Sequence, residues 1–245
     1  MAHRDRKDGL ADLDAAAEWM RKAAGCGLAW AHKELFDILW MMGTPDSLAE
    51  MASRAFARAE AGDAEMMGLL GRAFKEGKGV DQSLESAESW LKKSADGKCL
   101  WAKDEYFDLL WEIGTPESLA KMAEFGKSEY KNNPSMMARM GRAYCRGRGV
   151  EKDIPKAVQL LRSSLEKGPR WAKAEYIDAL IQVGTAESKR DAFDYTRSIL
   201  EEDRGDAYAR IACMYRDGIG TRKSLRQACD NFRKAAEKRF PASRA

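Results

Sequence analysis

Three stretches of the chain restate one another: LAWAHKELFDILWMMGTPDSLAEM from residue 28, CLWAKDEYFDLLWEIGTPESLAKM from 99 and PRWAKAEYIDALIQVGTAESKRDA from 169. Trp30, Trp101 and Trp171 fall in one column, 71 and then 70 residues apart, and Gly71, Gly141 and Ala212 form another at 70 and 71. A self-similar period dictates a stack of like units, each burying its apolar face against its neighbours. The period is twice the length of one helix pair, so two smaller units of about 35 residues alternate within it.

Composition assigns those units to helix. Ala, Leu, Met, Glu, Lys and Arg are plentiful, β-branched runs are few and prolines number six, so essentially no sheet is expected. The two units differ at their turns. In one, a helix such as AEMMGLLGRAFKE ends in a GxG loop, GKG at 77 to 79 and GRG at 147 to 149, and a second helix follows. In the other, Gly43 or Gly114 is followed at once by Thr-Pro, a capping hydroxyl and a proline at the first helical position; Thr185 keeps the cap with Ala186 in place of proline. Asp12, Ser83, Asp153 and Ser224 share a column just after the GxG loops, where they read as N-caps.

Packing stripes follow at i, i+3, i+4, i+7 and i+8: Ala16, Trp19, Met20, Ala23 and Ala24, then Ala87, Trp90, Leu91, Ser94 and Ala95, then Ala228, Asn231, Phe232, Ala235 and Ala236. Trp30, Trp101 and Trp171 are expected to pack between repeats, Trp40 and Trp111 to sit in the core with Ile181 as their third member, and Met41, Met42, Met66, Met67, Met136 and Met137 to fill gaps.

The column of Ala64, Leu70, Gly71, Phe74, Gly77, Gly79, Val80, Ala87, Trp90 and Ala95 resembles the Sel1-like repeat, a relative of the tetratricopeptide repeat. Residues 134–168 and 205–240 fit nearly as well, with Ala212 and Thr221 as departures. The units with Trp30, Trp101 and Trp171 look like divergent rungs, since Asp37, Asp108 and Asp178 stand where the repeat usually carries Leu. The resemblance implies an all-α solenoid: a right-handed superhelix of antiparallel helix pairs, GxG-type and TP-type rungs alternating. It spans 1–245 as one array, with a lone second helix at about 11–25 and pairs at about 28–61, 63–97, 99–131, 134–168, 169–202 and 205–240. "KDGL" at 7 to 10 aligns with the end of a GxG loop.

The family's members mostly hold other proteins together, so the resemblance implies a non-catalytic scaffold that binds a protein or peptide along a concave face of first helices. The alternative is an accessory factor of bacterial envelope polysaccharide assembly, or a host-interaction effector module, using the same surface. A disulfide-rich branch places two cysteines per repeat; Cys26, Cys99, Cys145, Cys213 and Cys229 follow no such column and are expected to be reduced and mostly buried.

Other chemistry lacks its residues. A dinucleotide loop needs a third glycine after a strand, and a P-loop needs GKS or GKT, whereas Asp81 and Gln82 follow GKGV. His3 and His32 are the only histidines, with no HExxH, GxSxG or Cys–His arrangement. No cofactor or metal is expected, and no enzyme beyond a remote carboxylate-based one. The net charge of +3 is spread along the chain and gives no specific nucleic-acid signal. The charged start lacks an apolar leader and no segment reaches membrane-spanning length, so the sequence as given reads as cytoplasmic.

One charged constellation remains. Glu34 with Asp37, Glu105 with Asp108 and Glu175 with Asp178 repeat as ExxD, sharing one helix face in each copy. Arg72 and Arg142 occupy a matching column on neighbouring first helices, within reach when axes lie about 8 to 10 Å apart. Two readings stay open: a ladder of ion pairs that fixes the stacking, or a charged face that binds a basic or polar peptide.

Overall fold

The computed structural model describes residues 2–200 and 205–239, with side-chain environments from 12 to 200 and from 205 to 238. These residues form α1 (Ala2–Gly25), α2 (Ala29–Met42), α3 (Pro45–Glu60), α4 (Ala64–Glu76), α5 (Leu84–Asp96), α6 (Leu100–Ile113) and α7 (Pro116–Glu129), then α8 (Pro134–Arg146), α9 (Ile154–Ser164), α10 (Trp171–Val183), α11 (Ala186–Ser198), α12 (Asp206–Asp217) and α13 (Leu225–Arg239). No strand occurs among the described residues, so the all-α helical repeat stands as expected. Packing runs chiefly between successive helices, and the chain divides into two compact units, Met1–Ser118 and Leu119–Ala245. The expected pair ends at residues 202 and 240 lie outside the described residues.

The two turn types are built as their residues require. At the TP turn, Gly43 closes α2 in the left-handed region (φ 64°), the Thr44 hydroxyl accepts from the Ser47 amide, and the Ser47 hydroxyl accepts in turn from the Thr44 amide. Thr115 and Thr185 accept from Ser118 and Ser188 in the same way. At the GxG turns, Ser83, Asp153 and Ser224 each accept from the amide three residues on.

Within the GxG loop several amides turn back onto the carbonyls of the helix that it ends. Lys78 N–H donates to Ala73 O and Ser83 N–H to Phe74 O. Arg148 and Asp153 repeat this toward Ala143 and Tyr144, and Ile219 and Ser224 toward Met214 and Tyr215. The loop is built as a helix stop. Its second glycine has a packing duty too: a Cβ on Gly149 (φ 72°) would fall 2.6 Å from Leu119 O on α7. Gly79 and Gly220 press in the same way on the Leu48 and Lys189 carbonyls of α3 and α11.

In the first unit, Leu35, Phe36 and Leu39 of α2 meet Met51 and Ala55 of α3 and Met66, Leu69 and Leu70 of α4 in one buried cluster. Small residues set the spacing. A Cβ on Gly71 would lie 2.7 Å from Leu91 Cγ of α5, and one on Gly68 2.7 Å from the Trp101 ring of α6. In the second unit Met136, Met140 and Ala143 of α8, Leu161 of α9, Ile177 of α10 and Ile211 and Ala212 of α12 are buried, with Phe193 edge-on to Tyr215 at 5.2 Å.

Four expectations are corrected. The helix expected at 11–25 begins at Ala2 and runs through "KDGL", so Asp12 lies inside α1 and caps nothing. The reason is in the columns: Arg6 and Asp8 stand where the loop's two glycines belong, and neither takes the left-handed backbone as freely as glycine does. Trp19 and Trp30 are 64% and 56% exposed rather than packed. Their column-mates Trp90 and Trp101 rest on Phe56 of α3 and Gly68 of α4. Met41 is exposed at the end of α2, and Trp40 is half-buried at the core's edge. Of the five free cysteines only Cys145 is buried; Cys26 and Cys229 are exposed.

Candidate functional site

The first helices carry the charged columns, and the two units use them differently. In the first, Glu34 is exposed on α2, and Asp37 accepts from Lys33 Nζ at 2.8 Å, one turn earlier, which raises the lysine's pKa. Arg72 of α4 lies 5.6 Å from the centre of the Trp40 ring, Lys78 of the GxG loop 4.1 Å from it, and Phe36 abuts it at 5.6 Å. A tryptophan so placed is a cation–π platform filled by the chain's own residues. Glu105 and Asp108 are half-buried on α6, and Lys75 of α4 reaches Glu112 of the same helix at 2.7 Å.

In the second unit the columns converge. Arg142 of α8 stacks on Trp171 at 3.7 Å and stands 3.0 Å from Glu175 of α10. Arg146, one turn on, donates to the same Glu175 oxygen at 2.9 Å. Asp178, one turn along α10, faces the other way and takes both guanidinium nitrogens of Arg210 of α12, at 2.6 and 3.3 Å. Arg139, buried on α8, donates to Ser135 at 2.6 Å and lies 5.9 Å from the Trp171 ring. The result is one charged face across α8, α10 and α12, with carboxylates from α10 between arginines from both sides.

The structure therefore brings Arg142, Glu175 and Asp178 together and keeps Arg72 with an aromatic ring. Sequence reading missed Lys33, Lys78, Arg146 and Arg210. Lys33 and Asp37 were visible as an i, i+4 pair, and Arg146 as one turn beyond Arg142. Arg210 had no signal, because Leu69 and Arg139 share its column and the first is core.

Between α10 and α12 lies an open cleft of about 490 Å³ beside the Asp178–Arg210 pair. Among the described residues no group of three or more His, Cys, Asp or Glu is placed to hold a metal ion, and no helix is long and apolar enough to cross a membrane. Glu175 meets two guanidinium groups through Oε1, and both Asp178 oxygens accept from Arg210.

The Sel1 repeat model matches residues 2–28, 64–99, 134–169 and 205–240, together more than half of the chain. Two solved structures are similar in fold. A protective antigen present in uropathogenic Escherichia coli strains, displaying an SLR fold, superposes with a TM-score of 0.66 at 23% identity over 90% of this chain. The alignment covers 48% of that antigen, so this chain spans about half its length. A Sel1 repeat protein from Oxalobacter formigenes gives a TM-score of 0.57 at 22% identity, over 90% of this chain and 84% of the other. Three of the four matched segments are the GxG-type pairs, and Sel1 repeats generally mediate protein–protein interaction. With three complete GxG hinges, their caps and their close-packed glycines all at the matched positions, the chain belongs to the Sel1 repeat family.

Proposed function

We propose that this chain is a non-catalytic binding scaffold that holds a peptide or protein segment along the face of α8, α10 and α12. The observation that carries the reading is the arginine–carboxylate array of Arg142, Arg146, Glu175, Asp178 and Arg210, set beside Trp171 on adjacent first helices. Such a face can exchange internal ion pairs for charges on a polar chain, and the aromatic ring adds contact area at low entropic cost. Glu34, Asp37, Arg72, Glu105 and Asp108 hold the same sequence columns within the first unit, on α2, α4 and α6, and are proposed as contacts of that unit by itself.

Selection of displayed random peptides against the immobilised full chain tests the reading, with the double variant Arg142→Glu/Asp178→Arg as counter-selection. The expected outcome is a family of peptides that bind the wild type and lose at least about tenfold in affinity on the variant. Failure to enrich any peptide, or equal binding to a variant whose helical signal and unfolding midpoint match the wild type, overturns it.

A further inference from the structure

In the first unit one local arrangement closes the space between a TP-type first helix and the GxG-type first helix after it. Trp40 of α2 fills it, with Arg72 of α4 and Lys78 of the loop over the ring. The next copy of these columns reads Trp111, Arg142 and Arg148. The third reads Ile181, Cys213 and Ile219, and all three line the cleft between α10 and α12. A large ring and two long cations have become three short apolar side chains at once.

The floor changes in the same direction. Lys33, which reaches Asp37 in the first unit, corresponds to Ala174, so that side of the cleft is short. Asp178 is held instead from the far helix by Arg210, at the column of buried Leu69. The outcome is an open, largely apolar cleft of about 490 Å³, a size ordinary for a binding pocket, with the Asp178–Arg210 pair at its rim.

The geometry points to this cleft as an anchor pocket for an aromatic side chain of the bound segment, flanked in that segment by a basic residue. The proposal rests on the reading of this face as a peptide-binding surface. The occupant's chemistry is taken from the protein itself: the sibling site holds a tryptophan, with cations over its ring. Here Ile181, Cys213 and Ile219 stand in place of ring and cations, and the bound segment supplies both.

The test uses the full chain and two probe peptides, acetyl-Lys-Trp-Lys-amide and its alanine counterpart. Cys213 lies in the cleft wall, whereas Cys26 and Cys229 are exposed elsewhere and serve as references for alkylation by iodoacetamide, read site by site by mass spectrometry. At twice its dissociation constant the tryptophan peptide should slow alkylation of Cys213 about threefold and leave Cys26 and Cys229 unchanged. The alanine peptide should do nothing. Ile181→Trp restores the repeat's own residue, and should both shield Cys213 in the free protein and abolish the peptide's effect. Ala209→Leu, which fills the cleft from the other helix, gives the same readout should the first variant fold poorly.

Equal protection by the two peptides, or undiminished protection in a folded filling variant, overturns the pocket. The displayed peptides separate the two readings. Peptides that bind the wild type and Ile181→Trp equally while failing on the charge-reversed variant overturn the pocket and leave the charged face standing. Absence of any enriched peptide overturns both.

Discussion

Arg142 lies 3.7 Å over the Trp171 ring while its Nε stands 3.0 Å from Glu175, so one guanidinium joins two elements of the neighbouring helix. The Glu175 side chain is 16% exposed, and Arg146 shares its oxygen. A double-mutant cycle with Arg142→Ala and Glu175→Ala should give a favourable coupling of about 1 kcal/mol, at the upper end for pairs that water still reaches. Urea midpoints at low and at high salt measure it. Screening should shrink the coupling, while the stacking lost in Arg142→Ala persists at both salts.

Trp30 and Trp101 share a column and differ in what lies against them. Trp101 presses on Gly68, whereas Trp30 is 56% exposed. Replacing Trp101 with alanine should cost about 3 kcal/mol, the low end for large aromatics because the ring is half-buried. Replacing Trp30 should cost no more than about 0.5 kcal/mol, as for other surface positions. Thermal unfolding of the two variants side by side checks the contrast. Equal losses would mean that Trp30 is covered in solution.

The hinges of this chain were legible because their residues act locally. Gly77 with Gly79, Thr44 with Pro45, and Ser83 or Asp153 at their caps each determine a backbone conformation within a few residues. The ends were less legible because burial is not local. Trp19 carries the same pattern as Trp90, and only the presence of Phe56 beside one of them separates their fates. The charged face was legible by column and opaque by pairing. Arg72 and Arg142 are equivalent in sequence, yet one meets Trp40 and the other Trp171 and Glu175. Long side chains choose among several partners within reach, and spacing alone does not decide between them.

Gly147 and Gly149 hold the same left-handed geometry, φ 63° and 72°, and separate two costs of a side chain. A Cβ at 147 would approach Lys152 Cβ at 3.2 Å, a contact on an exposed loop residue that a shift of a few tenths of an ångström relieves. A Cβ at 149 would come within 2.6 Å of Leu119 O, a carbonyl in the first turn of α7 that cannot move without shifting the helix. Gly147→Ala should therefore lose about 1 kcal/mol for backbone strain alone. Gly149→Ala should lose that and a further 1 to 3 kcal/mol or so for displaced packing. Chemical denaturation resolves the difference, and equal losses would show that α7 is not held against the loop.

Cys145 closes α8 beneath the charged face, and burial, aided by the negative charge of Glu175, pushes its thiol from 9.0 up to about 11. The folded state thus favours the neutral thiol. Its contribution to stability is complete below pH 9, where the unfolded thiol is also neutral, and is lost as pH rises from 9 through 11. At pH 8 iodoacetamide should modify Cys26 and Cys229 first and Cys145 last, since reaction needs an exposed thiolate. The stability gap between wild type and Cys145→Ala should narrow between pH 9 and 11, because only the wild type must then bury a charge or bind a proton to fold. Measuring both proteins at each pH cancels the lysines and tyrosines that titrate in the same range. A gap that stays constant would mean that Cys145 ionises as readily folded as unfolded, and so that water reaches the base of the α8–α10 face.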